Sequence, residues 1–567
     1  MTVPGGTSAT SPADLFTYEP GPSVTAVTPV TSLLAGGTPV SITGTNFTGA
    51  LSSGAAGVMF GTTAATSFTV NSATSITATA PAETAATVDI TVTTPAGTSS
   101  TSSADQFSYY SVPSWSQAQP ATSPPAIGVG GAEAYDPATG QTILFYGTTT
   151  WAWNGTTWSE LSTTAPADVA YASMAYDTST SQLVLFGGWS YSNGTYYGGT
   201  WTWNSTTSSW TTVATSGPAV REQLSMAYDP ATSQLLVFGG IGTSNGVYAD
   251  TWKWTGTAWS QVASTGPSAR WGASMAFDPA MGTNGALVLY GGNSSGNYYG
   301  DTWTWSGMAW AQLSTTANPP PRYGADMAYD AATSQLLFFG GVIGSTIYGD
   351  TWDWTGTTWV QLLPAAGPPG PRYFSSMTYD AASSQMVLFS GSNGLADTWL
   401  IGAPTVTAVS PPSGLPAGGT NVTITGTSFT GATAVDFGTS AAIFAVTSST
   451  QISATTPPGT VGAVDVTVTT PDGTSATSVL DQFSYEPAPT ITAVSPIAGP
   501  VVGGTAVTVT GTNLTGSTAV QFGTTAASYY VVVSPTEIVT GSPAGAAGTV
   551  NTVSYTHCRR WGSPSAG

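Results

Sequence analysis

The chain has 567 residues, 41% of them hydrophobic and only 6% charged, so it is long enough for several domains and keeps its surface polar mainly with Thr, Ser, Asn and Gly. Its 27 acidic and 7 basic residues give a net charge of −20, which excludes nucleic acid as a partner because binding phosphates needs clustered Lys and Arg. One Cys and one His allow neither an internal disulfide nor a Cys/His metal site, and no long apolar run predicts a membrane span.

Residues 1–20 lack the features of a signal peptide, since MTVPGGTSATSPADLF has neither a basic flank nor an apolar stretch. Residues 2–19 resemble the stretch TTPDGTSATSVLDQFSYE that ends a later repeat. We therefore predict that 1–20 is the C-terminal remnant of the same domain type. The sequence is expected to be an internal fragment of a longer repeat protein, with any export signal lying upstream.

Three later segments share one repeat, at residues 22–110, 404–486 and 489–550. Each opens with P-x-[VI]-T-x-V-x-P and contains GGT-x-V-x-[IV]-x-GT-x-[FL]. β-Branched residues alternate with polar ones between Gly and Pro turns, a pattern typical of short strands in a sandwich. The third copy is predicted to be incomplete, and residues 551–567 to be an aberrant tail. We assign no function to the unusual residues of that tail, which are His557, Cys558, Arg559 and Arg560.

These three segments resemble the IPT/TIG domain, an immunoglobulin-like β-sandwich. The resemblance rests on the opening and central motifs, the [FV]-x-FGT segment and, in the first two copies, the closing F-x-Y. It implies a spacer or interaction module of the kind frequent in secreted and cell-surface proteins. It implies no catalytic chemistry.

A second repeat fills residues 111–403, with units such as SMAYDPATSQLLVFGG followed by ADTWKWTGTAWSQV. A period near 50 residues with four short strands in each unit predicts the blades of a β-propeller. The Asp that ends the first strand is expected to tighten the following turn, with a calcium ligand as the open alternative. This Asp recurs at Asp136, Asp177, Asp229, Asp278, Asp330 and Asp380.

The propeller repeat resembles the kelch repeat of the central domain of galactose oxidase. The motif residues are a Gly pair in four blades, followed by the DTW-x-W strand; blades one and six depart, with Tyr146-Gly147 and Ser390-Gly391. The fold class is thus predicted to be all-β, with a six-bladed kelch-like propeller flanked by immunoglobulin-like sandwiches. Blade six stops after DTWLIG, so residues 114–120, SWSQAQP, are predicted to supply its closing strand.

An arginine precedes the turn Asp in four blades, and these blades also carry the acid of the DTW motif. Where one partner is absent the other is too: blade two has Val169 and Gly199. A salt bridge within each blade is therefore favoured over an anion-recognising ring. If exposed, such pairs contribute only about 0–1 kcal/mol each. The predicted pairs are Arg221 with Asp250, Arg270 with Asp301, Arg322 with Asp350, and Arg372 with Asp397.

Aromatic residues recur near the same positions, where they could stack on sugar rings or simply pack between blades. Together with the arginines they form the candidate binding face. The aromatic members are Tyr197, Tyr248, Tyr299, Tyr348, Trp271, Tyr323 and Tyr373.

Catalytic residues are not evident. The propeller contains no His or Cys, which excludes copper chemistry like that of galactose oxidase and also the Ser/His/Asp and Cys/His nucleophile systems. No metal or cofactor is expected. The chain is predicted to be a monomeric, non-catalytic extracellular or cell-surface binding or adhesion protein, whose propeller recognises protein or carbohydrate and whose sandwiches form a stalk. The alternatives are a structural spacer or matrix protein without a specific ligand and a divergent glycan hydrolase.

Overall fold

The computed structural model describes residues 2–3, 6–7, 20–34, 36–50, 57–83, 86–110, 112, 114–126, 130–162, 168–214, 216–281, 284–315, 317–362, 369–392 and 394–555. The chain divides into two compact units, Met1–Gly402 and Ala403–Gly567. The regular secondary structure of the described residues consists of β-strands and one short 3-10 turn, Thr243–Asn245, so the all-β fold class is confirmed. In this part of the chain no helix is long and apolar enough to cross a membrane.

The first unit begins with a β-sandwich whose strands bury alternate residues, as in Pro39–Thr45. In one sheet the strands lie side by side in the order Ser23–Thr28, Pro39–Thr45, Ser75–Thr79 and Ser67–Ser72. In the other sheet the order is Thr31–Leu33, Gln106–Tyr110, Ala86–Thr94, Val58–Phe60 and Thr63–Ala64, and Gly97–Thr98 also pairs with Ala86–Thr94. Of the predicted remnant 1–20, only Pro20 and the small pair Thr2–Val3 and Gly6–Thr7 lie in the described residues.

The second unit contains two further sandwiches. The first of them repeats the same order, with one sheet of Thr405–Ser410, Asn421–Thr427, Gln451–Thr455 and Ile443–Ser448. Its other sheet contains Ser413–Gly414, Gln482–Tyr485, Gly462–Thr470, Ala434–Phe437 and Ser440–Ala441, with Gly473–Thr474 paired to Gly462–Thr470.

The last sandwich has one sheet of Thr490–Ser495, Ala506–Thr512, Glu537–Gly541 and Tyr529–Ser534, and a three-stranded sheet of Thr525–Ala526, Ala519–Phe522 and Thr552–Tyr555. The predicted boundary at residue 550 is wrong, because the backbone of Thr552–Tyr555 pairs in register with Ala519–Phe522. Residues 556–567, which include His557, Cys558, Arg559 and Arg560, lie outside the described part.

The rest of the first unit consists of six four-stranded antiparallel sheets, the blades of a propeller. We number the strands of a blade outward from the axis. Blade 1 contains Ala132–Asp136, Gln141–Tyr146, Thr149–Trp153 and Trp158–Ser162. Blade 2 contains Ser173–Asp177, Gln182–Phe186, Thr200–Asn204 and Ser209–Ala214. Blade 3 contains Ser225–Asp229, Gln234–Phe238, Thr251–Trp254 and Trp259–Ala263.

Blade 4 contains Ser274–Asp278, Ala286–Tyr290, Thr302–Trp305 and Trp310–Leu313. Blade 5 contains Asp326–Asp330, Gln335–Phe339, Thr351–Trp354 and Trp359–Leu362. Blade 6 contains Ser376–Asp380, Gln385–Phe389 and Thr398–Gly402, and its fourth strand is Ser116–Gln117. Small hairpins, Asn293–Ser294 with Asn297–Tyr298 and Val342–Ile343 with Thr346–Ile347, lie in the connections from second to third strand.

Adjacent blades pack face to face around a closed ring. The first strands of neighbouring blades contact each other in all six places, including blade 6 with blade 1. The second strands Gln335–Phe339 and Gln385–Phe389 are buried along their whole length, because a neighbouring blade covers each of their faces. Each interface has its own apolar core, as where Leu144 of blade 1 meets Val387 and Phe389 of blade 6.

The ring is closed by a strand from the beginning of the propeller segment. Ser116 lies opposite Leu400 and Gln117 opposite Trp399, so Ser116–Gln117 forms the outer edge of blade 6. This pairing covers a third strand that would otherwise present an open edge.

A tryptophan at the fourth strand links every blade to the one before it. Its indole N–H donates to the hydroxyl of the third-strand Thr of the preceding blade at 2.7–2.9 Å. Its ring also contacts an aromatic residue at or next to the end of that blade's second strand, with centroids 5.0–5.5 Å apart. These six contacts form a closed cycle around the propeller. In blade 6 the tryptophan is Trp115, which directly precedes the closing strand and bonds to Thr351 of blade 5. The six tryptophans are Trp115, Trp158, Trp210, Trp259, Trp310 and Trp359.

The turn aspartates tighten the connection between first and second strands. In all six blades the backbone N–H two residues later donates to the carboxylate at 2.8–3.0 Å, as from Ala231 to Asp229. This geometry is the Asx-turn that the sequence predicts.

Candidate binding site at the propeller mouth

The four arginines are buried within their own blades at the end where first and third strands begin, which we call the mouth. Arg221 donates through Nη1 and Nη2 to the two carboxylate oxygens of Asp250, at 2.6 and 3.0 Å. Its Nη1 also donates to Gly239 O at 2.9 Å and its Nε to Ala219 O at 2.9 Å. Trp252 adds an indole hydrogen bond to the same carboxylate. The pairs Arg270–Asp301, Arg322–Asp350 and Arg372–Asp397 have the same bidentate geometry.

Burial distinguishes these pairs from surface salt bridges. The Arg221 side chain is 0% exposed and that of Asp250 is 20% exposed. Burial raises the pKa of Asp250, but the hydrogen bonds and charge of Arg221 outweigh it, so the pKa lies below its ordinary value. The sequence-based figure for exposed pairs therefore does not apply, since removing one partner of a buried pair leaves an uncompensated charge.

The same arginines connect blades through their backbone. Arg221 N–H donates to Tyr197 O, and Arg221 O accepts from Gly188 N–H at 2.8 Å, both in blade 2. A Cβ on Gly187 would lie 2.6 Å from that carbonyl oxygen, so the close approach of the next blade requires glycine there. The backbone of each arginine thus bonds to the preceding blade, while its side chain bonds within its own blade.

The structure contradicts the predicted binding role of most residues of the candidate binding face. The arginines Arg221, Arg270, Arg322 and Arg372 are at most 1% exposed and are bonded within the protein. The rings of Tyr248, Tyr299 and Tyr348 lie 3.7–4.0 Å from the guanidinium carbons of Arg221, Arg270 and Arg322, where they stack on the buried cations. Tyr197 instead packs near Trp201, with centroids 6.5 Å apart. Only Trp271, Tyr323 and Tyr373 remain as candidates, each half-buried at the mouth.

A closed ring of six backbone hydrogen bonds surrounds the axis just outside the first strands. One residue from each blade takes part, and each N–H donates to the carbonyl oxygen of the residue in the preceding blade at 2.7–3.1 Å. All six have a positive φ, between 50° and 85°. For non-glycine residues this conformation costs of order 1 kcal/mol or more, and such strain clusters at functional sites. We call these residues the axial ring: Gly130, Tyr171, Gln223, Gly272, Gly324 and Phe374.

A cavity of about 170 Å³ lies at the axial ring and extends along the first strands. Tyr171, Gln223 and Phe374 line it, with Met226 and Met275 among the neighbouring residues. Complete small-molecule pockets usually measure about 300–1,000 Å³. This cavity would therefore hold only part of a ligand, and the surrounding surface would contact the rest.

A layer of serines borders the cavity. Ser173, Ser225 and Ser274 each donate to a backbone carbonyl of the next blade at 2.6–2.7 Å. In blade 5 the same position is Asp326, whose carboxylate accepts a hydrogen bond from Ser375. Burial raises the pKa of Asp326 to about 7, against the opposing effects of that hydrogen bond and of the Arg372 charge. Glu133, one position further along the first strand of blade 1, is a second buried acid. It accepts a hydrogen bond from Ser376, and burial raises its pKa well above the ordinary value.

Replacing Asp326 with serine, the residue that four other blades carry there, is expected to make stability less dependent on pH. The folded protein retains this proton up to about pH 7, while the unfolded chain releases it near pH 4. The unfolded state therefore binds fewer protons in this window, and the free energy of unfolding falls as pH rises from about 4 to 7. Urea unfolding at several pH values should show a loss of slope of up to about 1.4 kcal/mol per pH unit. An unchanged slope would contradict this assignment.

Aromatic side chains form a continuous cluster around the axial ring, which we call the mouth cluster. Trp189 contacts Tyr191, which contacts Tyr171, and Tyr171 contacts Phe374, with ring centroids 4.8, 6.2 and 5.2 Å apart. The same cluster continues from Phe374 to Tyr373, Tyr323, Trp271 and Tyr298 at 4.6–5.9 Å. Tyr191 is 50% exposed, so part of this aromatic surface is open to a ligand.

Glu222 lies at the edge of the mouth cluster. Its backbone pairs with Ile241, and its negative charge, after the larger effect of burial, raises the pKa of Tyr196. Burial also raises the pKa of Glu222 itself to about 7. By contrast Asp168, also at the mouth, accepts hydrogen bonds from Ser190 and from the backbone N–H of Ser192.

The residues of the candidate site that could not be predicted from the sequence are Tyr171, Gln223, Phe374, Tyr191 and Glu222. The first three occupy one position of the repeat but differ in type, so no motif marks them. Glu222 does stand out in the sequence, because it directly follows the blade arginine at a position where the next three blades have aromatic residues, Trp271, Tyr323 and Tyr373.

Comparison with known proteins identifies the sandwiches. The family model of the IPT/TIG domain matches residues 22–109, 404–485 and 489–565, which supports that part of the sequence prediction. No curated protein matches the chain. Among solved structures, the chain is similar to that of YjhT, with 13% identity, 51% of this chain and 97% of that chain covered, and a TM-score of 0.40. The kelch resemblance of the propeller stays a prediction.

Proposed function

We propose that this chain is a non-catalytic binding protein that acts outside the cell, where its propeller binds carbohydrate at the mouth. The observation that carries the proposal is the mouth cluster, a half-open aromatic surface around the axial cavity. The CH-rich faces of sugar rings pack on aromatic planes, while tyrosine hydroxyls and nearby amides can bond to sugar hydroxyls.

The acids at the mouth favour binding over hydrolysis. Glycoside hydrolysis generally requires two carboxyl groups that flank the scissile bond. Glu222 lies at the edge of the aromatic surface, whereas Asp168 is engaged by Ser190 and Ser192, and Asp326 is hydrogen-bonded to Ser375. This arrangement suits recognition of a sugar more than cleavage.

The sandwiches fit a spacer role in this proposal. The IPT/TIG match covers three segments, and a domain of this type suits the role of a stalk or interaction module. The binding function is therefore assigned to the propeller alone.

The proposal is tested by applying the full chain to a glycan array and measuring the best ligand by titration calorimetry. Tyr191→Ala is expected to weaken binding about tenfold, since it removes an aromatic contact worth about 1 kcal/mol or slightly more. Met308→Ala is the matched control, because Met308 is 85% exposed in the turn between third and fourth strands of blade 4, at the opposite end of the propeller.

Three results would count against the proposal. Absence of glycan binding would favour a structural spacer or a protein ligand. Release of new reducing ends during incubation would show a hydrolase. Equal affinities of Tyr191→Ala and the wild type would place the sugar elsewhere.

A further inference from the structure

The mouth contains a carboxylate that the fold itself does not use. Glu222 follows the buried Arg221, at a position where blade 2 has Ala170 and blade 4 has Trp271. The backbone of all three is held in the same way, by a bridge to the connection that follows the second strand. Because alanine and tryptophan serve equally well there, the blade does not require an acid.

The side chain of Glu222 has no compensating partner among the described residues. Its Oε2 is buried and accepts no hydrogen bond. Burial is the sole cause of its raised pKa, with no opposing cation or donor. Although Glu222 as a whole is half-buried, a buried acceptor oxygen without a hydrogen bond is unfavourable, so a group from outside the chain is the natural partner.

The chain has few cations of its own to offer. Four of its seven basic residues are the arginines already paired with aspartates, and Lys253 lies in the third strand of blade 3. The net charge of −20 creates a potential that concentrates small cations near the protein. Charge complementarity therefore favours a positively charged ligand group.

Glu222 directly precedes Gln223 of the axial ring, whose backbone N–H donates to Tyr171 O at 3.0 Å, so aromatic residues of the mouth cluster lie near this carboxylate. Burial is the main cause that raises the pKa of Tyr171, Tyr191 and Tyr196, and the negative charge of Glu222 raises each of them further. Both Tyr171 and Tyr191 belong to the mouth cluster. An ammonium group beside a carboxylate and aromatic faces gains ionic and cation–π attraction together.

We infer that Glu222 and the adjacent tyrosines form a subsite for an ammonium group, and that the carbohydrate bound at the mouth contains amino sugars with a free amine. This inference rests on the proposed function, since it names the class of sugar. An N-acetylated sugar would leave the carboxylate without a charged partner, so the subsite discriminates against it.

The test compares three β-1,4-linked tetrasaccharides, of glucosamine, N-acetylglucosamine and glucose, by calorimetric titration of the full chain. The wild type is expected to bind the glucosamine tetrasaccharide at least tenfold more tightly than the other two. Glu222→Gln keeps the size of the side chain and should reduce this preference to less than twofold. Glu222→Ala copies the residue of blade 2 and should do the same.

The pH dependence of the affinity provides a second test. Affinity of the wild type for the glucosamine tetrasaccharide should fall as pH drops from 7 to 5, because Glu222 becomes protonated. The two variants should lose this dependence while keeping their affinity for the glucose tetrasaccharide.

Each remaining outcome overturns a specific claim. Equal binding of all three tetrasaccharides by the wild type overturns the ammonium subsite and leaves the proposed function standing. A glucosamine preference that survives in both variants overturns the assignment to Glu222. Binding of none of them, together with an empty glycan array, overturns the proposed function and this inference with it.

Discussion

Replacing Trp115 with alanine is expected to lower the free energy of unfolding of the propeller by about 3–5 kcal/mol. Trp115 is 1% exposed, bonds Thr351 through its indole N–H at 2.9 Å and packs on Phe339 with centroids 5.0 Å apart. It is the only one of the six cyclic tryptophans that lies far in sequence from the rest of its blade. Its loss both opens a cavity and releases the strand that closes the ring.

The effect of Trp115 can be measured by urea unfolding followed by tryptophan fluorescence, since the sequence places all but one of the 20 tryptophans in the propeller segment. Trp115→Phe is the control. It retains an aromatic contact but loses the hydrogen bond, and should cost only about 1–2 kcal/mol. If Trp115→Ala were as stable as the wild type, Ser116–Gln117 would not be what closes blade 6.

Replacing Asp350 with asparagine should destabilise the protein by about 3 kcal/mol, because it leaves the buried guanidinium of Arg322 without its counter-charge. Arg322 is 0% exposed as a side chain and Asp350 is 17% exposed. The carboxylate also accepts from the Trp352 indole. Urea unfolding at pH 7 gives the comparison with the wild type.

Blade 2 supplies the matched double variant, since it folds with Val169 and Gly199 in place of the pair. Arg322→Val combined with Asp350→Gly should cost less than the sum of the two single changes, because no buried charge remains unpaired. Additive costs would show that the two side chains are not coupled.

Much of the propeller could be predicted from the repeat alone. The spacing of the turn aspartates follows from the four-stranded unit, and the joint absence of both partners in blade 2 indicates pairing within a blade. The missing fourth strand of blade 6 likewise predicts a donor elsewhere in the chain, near Trp115. These predictions depend only on spacings within one repeat or on the number of strands in a blade, and the same pattern recurs in several blades.

The site could be predicted only in part, because its decisive features arise from ring closure. Nothing in the types of Tyr171, Gln223 and Phe374 indicates that they share one ring of backbone hydrogen bonds. Co-occurrence of Arg221 and Asp250 shows that they pair but not that the arginine is wholly buried. Tyr248 looks like a surface aromatic in sequence, yet it covers a guanidinium. Burial depends on neighbouring blades, which sequence spacing does not report.

Amide hydrogen exchange of the full chain, with and without the best array glycan, tests most directly whether the propeller mouth binds carbohydrate. We expect slower exchange in the segments around Tyr191 and Glu222, and no change in the turn that contains Met308 or in the sandwiches. Protection confined to that turn or to the sandwiches would contradict it.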